Sequence, residues 1–501
     1  MSRPPLVERL AAVPDAVAAA ERFADLPFLL LLDSTADAER TGRYSFLAAD
    51  PYAVIRSRGA VAERMDRGGD AWHPLAADAL GAARTALAPL VTDPVAGLPP
   101  FQGGAAGYIG YDWGATLERL PQACYDDLAI PDVILGLYDW VLAWDHCERA
   151  AWIISTGIPS AASSAERSAR ERLEMVRGRL RVAPGDAHGV RTGRVTAERS
   201  EPGAPSYPVL GVEGAEEIGL RSTFTHRGYL SAVARVREYI LAGDIFQANL
   251  SQRFEAALAE PPLAFYRRLR RTNPAAFGAY LDFGGLQVLS VSPERFLQLS
   301  GSRVETRPIK GTRPRGLGPM HDALLGRVLA ESDKDRAENV MIVDLLRNDL
   351  SRVCRPGTVR VPELFALEQH PTVHHLVSTV VGELEAGADA VDLLRATFPG
   401  GSITGAPKVR AMEIIAELEP TRRGVYCGSL GYLGATGVMD TSIAIRTAVV
   451  RNGVAYFQAG GGIVADSDPE AEYRETLDKA RGIIRALAES RSPSASGRHS
   501  S

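Results

Sequence analysis

The chain has 501 residues, of which 46% are hydrophobic and 23% are charged, and its formal net charge is -5. This composition excludes a chain that is disordered throughout, and the near balance of 56 basic and 61 acidic residues argues against nucleic-acid binding through overall charge. Its apolar runs are far shorter than the roughly 20 residues of a membrane-spanning helix, so we expect no membrane contact. Its four cysteines lack CxxC spacing, and we therefore expect a cytoplasmic protein with reduced thiols.

Residues 1–183 alternate short apolar runs with glycine and proline, as at 133–137 and 152–154, and this pattern predicts strands. Within this N-terminal region, residues 164–180 carry apolar side chains at helical spacing among many Arg and Glu residues, which indicates a surface helix. Residues 184–221 lack such periodicity and are rich in Pro, Gly, Arg and Glu. We expect a linker or a surface excursion there.

Residues 222–489 are the most regularly patterned part of the chain. The pattern predicts a strand over 245–254 and helices over 333–350 and 469–487. Because strands and helices come in runs rather than in strict alternation, the sequence favours an α+β fold with antiparallel sheets over a doubly wound fold. The polar, Ser-rich residues 490–501 predict a disordered tail.

Acidic residues on the two predicted helices form the first candidate site. Glu338 shares a helix face with Asp335, and Glu475 shares one with Glu472 and Lys479. Carboxylates from different helices suit Mg²⁺, which takes one or two of them and keeps several waters. The order Glu475 then Lys479 is also that of an ordinary surface ion pair, so the spacing leaves both interpretations open.

Lys310 is the second candidate, because arginines flank it on both sides. Neighbouring positive charges disfavour the protonated amine, as a nucleophilic lysine requires. A basic loop that binds an anion or faces water is the alternative. The glycine-rich turns at 399–408 and 460–462 allow backbone N–H groups to approach a carboxylate or phosphate, or serve only as tight turns.

These segments occur in a fixed order together with several further blocks, at 293–296, 307–316, 333–349, 399–412, 426–446 and 458–479. Together they resemble the chorismate-utilising enzymes, a family that includes anthranilate synthase component I, aminodeoxychorismate synthase component I, and isochorismate and salicylate synthases. The resemblance covers 222–489 nearly continuously and the N-terminal third more loosely. It implies the fold of anthranilate synthase component I, with antiparallel sheets packed as a sandwich and helices outside.

The resemblance also implies roles for individual residues. Glu338 and Glu475 match the residues that hold Mg²⁺, and Glu294 matches the acid that protonates the departing 4-hydroxyl of chorismate. The substrate itself is expected to be bound by Gln247, His375, Ser402, Tyr426, Arg446, Gly460, Gly462 and Lys479. A dianionic substrate needs such cationic partners, and hydroxide is a poor leaving group without a proton donor.

Two positions distinguish members of the family. Isochorismate and salicylate synthases use a lysine to activate water where this chain has Gln247, and a neutral amide cannot take up a proton there. Anthranilate synthases carry a small alanine at Lys310, whereas the enzymes that form 4-amino-4-deoxychorismate carry lysine as a nucleophile. The resemblance therefore implies an enzyme of the second kind, on the route to 4-aminobenzoate and folate. Anthranilate synthase component I, isochorismate synthase and a catalytically silent regulatory subunit are the alternatives.

Family members draw ammonia from a glutamine amidotransferase, as a separate subunit or a fused domain. None of Cys124, Cys147, Cys354 and Cys427 lies in the Gly-x-Cys-x-Gly motif of an amidotransferase nucleophile. We therefore expect an amidotransferase partner subunit that supplies ammonia, and a separate lyase that completes 4-aminobenzoate.

The N-terminal region contains one further predicted site. Asp33, Ser34 and Arg43 lie where relatives bind tryptophan, either as a feedback inhibitor or as a buried structural ligand. The accompanying block at 273–277 departs from the pattern of the inhibited enzymes. We expect no feedback inhibition, and the sequence leaves tryptophan binding open.

Overall fold

The computed structural model describes residues 4–36, 39–90, 93–160, 164–181, 203–370 and 373–490. These residues form 25 strands and eleven α-helices. The strands are β1 (Leu6–Arg9), β2 (Leu29–Asp33), β3 (Tyr44–Ala48), β4 (Ala53–Arg58), β5 (Val61–Asp66), β6 (His73–Leu75), β7 (Gly104–Ile109), β8 (Val133–Tyr138), β9 (Trp140–Asp145), β10 (Ala150–Ser155), β11 (Tyr207–Pro208), β12 (Arg221–Ser222), β13 (Gln247–Ala257), β14 (Phe277–Asp282), β15 (Leu286–Ser292), β16 (Arg295–Ser300), β17 (Arg303–Arg307), β18 (Ile309–Pro314), β19 (Arg360–Gln369), β20 (Val373–Glu383), β21 (Gly405–Ala406), β22 (Ser429–Gly434), β23 (Met439–Ile443), β24 (Thr447–Arg451) and β25 (Val454–Ile463).

The helices lie mostly between the later strands. They are α1 (Ala16–Glu21), α2 (Ala79–Leu87), α3 (Ala165–Arg181), α4 (Ala215–Ile218), α5 (His226–Leu241), α6 (Pro262–Thr272), α7 (Pro319–Ala330), α8 (Asp333–Ser351), α9 (Ala390–Thr397), α10 (Lys408–Leu418) and α11 (Pro469–Glu489). The predicted surface helix near the end of the N-terminal region and the two long helices predicted further along are confirmed as α3, α8 and α11. None of the helices in the described part of the chain has both the length and the apolar character needed to cross a bilayer.

The strands form two large sheets in which neighbouring named strands run antiparallel. The first sheet has the order β1-β10-β9-β3-β2-β14-β15-β24-β25-β13-β12-β11, with β21 beside β13. The second has the order β18-β20-β17-β16-β23-β22-β7-β8-β4-β5-β6, with β19 beside β20. The predicted α+β class with antiparallel sheets is confirmed.

Apolar side chains from both sheets meet in a central layer. Phe46 and Leu281 project from the first sheet, and Tyr108 and Tyr432 from the second, into one buried cluster. Phe101 stacks on Tyr432 with ring centroids 4.7 Å apart. The outer face of the first sheet packs against α1, α3, α4, α6 and α11, and that of the second against α2, α8, α9 and α10. The molecule is a sandwich with helices outside.

Both sheets combine strands from the two regions distinguished in the sequence, 1–183 and 222–489. In the first sheet β2 pairs with β14, and in the second β7 lies between β8 and β22. The predicted linker, 184–221, is described only from residue 203 onward, where Val209, Ile218 and Leu220 are buried in the core; its earlier part lies outside the described residues. So does the predicted disordered tail, apart from residue 490.

Local sequence sets the ends of the two helices that matter for the site. Ser332 caps α8 by accepting the Asp335 N–H at 3.3 Å, and acidic residues in its first turn suit the positive end of the helix dipole. Asp468 caps α11 by accepting the Ala471 N–H at 2.9 Å, and Pro469 begins that helix. Proline is tolerated there because the first N–H groups of a helix have no intrahelical acceptor.

Candidate active site

Lys310 lies at an irregularity in β18, next to the second sheet's strand β20. The register between the two strands shifts between Ile309 and Thr312, and Gly311 has a φ of +85° that a residue with a Cβ rarely adopts. The Lys310 ammonium donates to the carbonyl oxygen of Ser402 at 2.9 Å. Burial lowers the pKa of Lys310, and the carboxylates of Glu338 and Glu294 only partly oppose this effect.

Glu294 lies against the same loop as Lys310. Its side chain is 5% exposed, and its Oε1 accepts a hydrogen bond from Ser402 Oγ at 2.7 Å. Burial raises the pKa of Glu294, while the Ser402 hydroxyl and the Lys310 charge act in the opposite direction. A single loop residue therefore contacts both groups, the amine through its backbone and the carboxyl through its side chain.

Two carboxylates approach Lys310 from different helices, Glu338 from α8 and Glu475 from α11. Burial raises the pKa of Glu338, and Lys310 is the strongest influence that lowers it. For Glu475, burial alone would raise the pKa, but the Lys479 ammonium 2.7 Å away and further cations outweigh it and lower the pKa. The Glu475 carboxylate contributes to the raised pKa of Glu338, so a cation between the two carboxylates would be stabilising.

The residues present fit a magnesium ion. A Cβ at Gly461 would lie 3.0 Å from Glu472 Oε2 and 3.3 Å from Glu475 Oε1, so the bare backbone leaves these oxygens room. Glu472 Oε2 is buried without a hydrogen-bond partner among the described residues. Those residues contain no cluster of three or more His, Cys, Asp or Glu side chains arranged to hold a metal. Mg²⁺ does not need such a cluster, because one or two carboxylates with waters and substrate oxygens suffice.

The glycines of β25 allow close approach from both faces. The Lys479 ammonium donates to the Gly460 carbonyl at 2.8 Å. A Cβ at Gly462 would lie only 2.0 Å from Gln247 Nε2, so only glycine leaves space for this amide. Gln247 is 1% exposed, and its Oε1 has no hydrogen-bond partner within the described ranges.

His375 and Arg446 form the remaining polar wall. Burial and the nearby Arg446 charge lower the pKa of His375 to about 3, so the imidazole is neutral at physiological pH. Its Nδ1 lies 2.9 Å from Thr312 Oγ1. Burial lowers the pKa of Arg446, and its guanidinium makes no hydrogen bond or ion pair with any described residue. A half-buried arginine of this kind suits an anionic ligand. Tyr426 is buried in the same apolar cluster as Ile403, next to Ser402.

The residues of the predicted tryptophan pocket lie elsewhere and already have partners. The Asp33 carboxylate accepts from Arg270 Nε at 2.6 Å and from Tyr266 OH at 3.1 Å. The Ser34 N–H donates to a serine hydroxyl on β3, and Arg43 Nη2 donates to Asp145 at 2.7 Å. Tryptophan binding by these residues stays a prediction.

Sequence reasoning missed a buried ion pair behind the site. Arg423 donates to both oxygens of Glu419, at 2.9 and 2.8 Å. It also donates to the carbonyls of Ile403 at 3.0 Å and Asn249 at 2.5 Å, while Glu419 accepts the Ser251 N–H at 2.7 Å. The pair thus binds backbone groups of β13 in the gap between β21 and β12. Its i,i+4 spacing was visible in the sequence, but this spacing is typical of exposed helix pairs.

Most of this chain is similar in sequence and in fold to known proteins. The model of a family described as chorismate binding enzyme matches residues 29–485. Aminodeoxychorismate synthase component 1 from Salmonella typhimurium is 43% identical over 463 residues, which cover 92% of this chain and 93% of that protein. Anthranilate synthase component 1 from Cereibacter sphaeroides is 41% identical, with 91% and 88% covered. The crystal structure of anthranilate synthase component I from Streptococcus pneumoniae superposes with a TM-score of 0.73 at 33% identity, covering 88% of this chain and 92% of that one. This similarity confirms the predicted fold.

Proposed function

Because this chain belongs to the family of chorismate binding enzymes, and is a chorismate-utilising enzyme of the anthranilate and aminodeoxychorismate synthase component I type, we propose that it converts chorismate and ammonia to 4-amino-4-deoxychorismate. The observation that supports this reaction best is Lys310. Its amine is buried, its pKa is lowered, and it lies beside Glu294, whose pKa burial raises. A neutral amine and a protonated carboxyl are the two groups that the reaction requires.

Lys310 attacks ring carbon 2 as a neutral amine. Both ring double bonds shift by one position, the bond from carbon 4 to its hydroxyl breaks, and Glu294 gives its proton to the departing oxygen, which leaves as water. Ammonia then attacks carbon 4, both double bonds return, and the bond between carbon 2 and Lys310 breaks with its electron pair going back to the amine. The Glu294 carboxylate takes up a proton from the new ammonium, so both groups regain their starting protonation states. The hydrogen bond from Lys310 to the Ser402 carbonyl holds the amine close to the Glu294 carboxyl, which accepts a hydrogen bond from Ser402 Oγ.

The remaining residues bind the substrate. Arg446 and Tyr426 hold the enolpyruvyl carboxylate, and Lys479 with the Gly460 and Gly462 backbone binds the ring carboxylate. Glu338 and Glu475 would hold Mg²⁺, which when bound supplies positive charge to the ring carboxylate. His375 and Gln247 line the pocket as neutral groups, so neither competes with Lys310 for a proton.

Ammonia has to reach the site from a partner. Relatives named component 1 suggest a second subunit, and we propose that this subunit is a glutamine amidotransferase. The product would then pass to a separate lyase in the cytoplasm, for 4-aminobenzoate and folate synthesis.

Mass-resolved analysis of the products formed from chorismate, Mg²⁺ and ammonium chloride tests the proposal. We expect a product that an added lyase converts to 4-aminobenzoate. Relatives named anthranilate synthase at 41% identity favour the second candidate, for which the product would be anthranilate, formed without a lyase and detected by its fluorescence. No turnover by the folded protein would instead support a silent regulatory subunit.

Substitution of Lys310 tests the covalent route. We expect Lys310→Ala to lose 4-amino-4-deoxychorismate formation, or to divert attack by ammonia to carbon 2, because the nucleophile is gone. Lys310→Arg is the matched control for charge: it keeps a cation but no neutral amine, and should lose the product equally. Formation of the 4-amino product by Lys310→Ala at the wild-type rate would contradict the route.

A further inference from the structure

A hydrogen bond between two buried polar side chains connects α8 to the sheet that carries Lys310 and His375. Asn339, next to Glu338 on α8, and Ser378 on β20 are both 0% exposed. Ser378 Oγ donates to Asn339 Oδ1 at 2.6 Å, and Asn339 Nδ2 lies 3.5 Å from the Leu376 carbonyl oxygen. The contact thus joins the helix of one candidate metal ligand to the middle of β20.

This part of β20 lies between two irregular neighbours. On one side the register with β18 shifts between Ile309 and Thr312, where Lys310 lies. On the other side the register with β19 shifts between Glu363 and Ala366, and Phe365 there has a φ of 60°. Regular ladder pairing does not hold the backbone at either bulge. Other contacts must determine where these strands lie relative to α8.

Ser378 and α8 supply those contacts. The Phe365 N–H donates to Ser378 Oγ at 3.2 Å, and the Ser378 N–H donates to the Pro308 carbonyl at 3.2 Å. Arg336 of α8 also lies over the Phe365 ring, 4.8 Å from its centroid. One serine therefore contacts β19, the residue that directly precedes β18, and the helix.

Packing alone does not account for an amide at this position. The neighbouring residues on the same helix face, Ile342, Val343 and Leu346, are apolar and buried. A leucine would fill a similar volume at position 339 without the cost of burying a polar group. Buried hydrogen bonds, in contrast, specify a single arrangement of the elements that they join.

We propose that Asn339 and Ser378 are positioning residues that set Glu338 against the Lys310 bulge, and thereby determine the affinity of the site for a divalent cation. The inference depends on the proposed role of Glu338 as a metal ligand. Neither side chain touches the substrate; both act through Glu338 and the strand that carries Lys310.

Binding of Mn²⁺ to the full chain, followed by electron paramagnetic resonance without chorismate, tests the proposal. We expect Asn339→Leu and Ser378→Ala each to weaken Mn²⁺ binding about 10-fold, as loss of a group that orients a metal ligand commonly does. The Mg²⁺ concentration for half-maximal chorismate turnover should rise in parallel. Asn339→Leu leaves the buried Ser378 hydroxyl without its acceptor and should lower the melting temperature, so the Mn²⁺ affinity of each folded variant is compared with that of a control that also loses a buried hydrogen bond.

Thr379→Val is the matched control. Thr379 follows Ser378 on β20, is also buried, and donates to Glu363 at 3.0 Å rather than to α8. The inference would be overturned if both test variants kept the wild-type Mn²⁺ affinity, or if the control lost as much affinity as they do. It would also be overturned if the wild-type protein bound no Mn²⁺. Should Asn339→Leu not fold, Ser378→Ala carries the test. Failure of the proposed function is distinguishable, since it would leave Mn²⁺ binding intact while the wild-type protein forms no 4-amino product.

Discussion

Lys310 and Glu294 show how burial at one site moves two pKa values in opposite directions. Burial disfavours the charged form of each group, so it lowers the pKa of the amine and raises that of the carboxyl. Both groups contact Ser402, whose hydroxyl stabilises the ionised form of Glu294. Nucleophile and acid thus come closer to the protonation states that the proposed reaction needs.

Removal of the Ser402 hydroxyl should shift the pH dependence of activity. In Ser402→Ala the pKa of Glu294 should rise further, because the carboxylate loses a hydrogen-bond donor. Glu294 then stays protonated to higher pH, so the loss of kcat/KM assigned to its ionisation moves to higher pH. Profiles of kcat/KM against pH measure the shift. Ser429→Ala, which removes a buried hydroxyl elsewhere, should leave the profile unchanged; a shift to lower pH in Ser402→Ala would contradict the assignment.

Glu475 should be essential for the metal dependence of the reaction. The lowered pKa keeps this carboxylate charged at neutral pH, and Glu475→Gln removes the charge at nearly constant shape. We expect this variant to lose Mg²⁺-dependent chorismate turnover while its circular dichroism spectrum stays that of the wild type. Glu489→Gln, at the exposed end of the same helix, is the control. Full activity of Glu475→Gln at low Mg²⁺ would show that Glu475 is only the ion-pair partner of Lys479.

Among the elements, β13 depends on side chains where a neighbouring strand is missing. Glu419 and Arg423 satisfy its backbone at Asn249 and Ser251. Glu419→Gln leaves the buried guanidinium without its counter-charge, and we expect a loss of about 3 kcal/mol in the free energy of unfolding. Urea denaturation measures this loss. Glu417→Gln, two residues away and exposed, should change stability by less than about 0.5 kcal/mol; an equal effect in both variants would contradict the structural role.

The whole molecule should fold only when both parts of the chain are present. Each sheet contains strands from both regions, and the central layer buries apolar side chains from both. A fragment of residues 203–490 would expose this layer, so we expect it to be insoluble or to lack near-ultraviolet circular dichroism. Co-expression with residues 1–181 should restore a soluble complex on size-exclusion chromatography. A cooperatively unfolding fragment 203–490 would contradict this expectation.

Local pattern was sufficient to predict the helices that carry Glu338 and Glu475. Their apolar spacing and N-terminal caps depend only on neighbours within a few turns. The same spacing could not distinguish a metal-binding carboxylate from a surface ion pair, and Glu475 does pair with Lys479. Nor could it show that Glu419 and Arg423 are buried, because burial depends on strands far away in the sequence.

The sequence by itself determined the α+β class, the long helices and, through its ordered motifs, the family. Those features depend on periodicity, caps and residue identity, which are local properties of the chain. The tertiary structure alone decided that Lys310, Glu294 and Ser402 meet, that the two sheets combine both halves of the chain, and that burial rather than the flanking arginines lowers the pKa of Lys310. Desolvation and Coulomb interactions depend on distances between residues that are remote in sequence, and only the packed sheets and helices determine those distances.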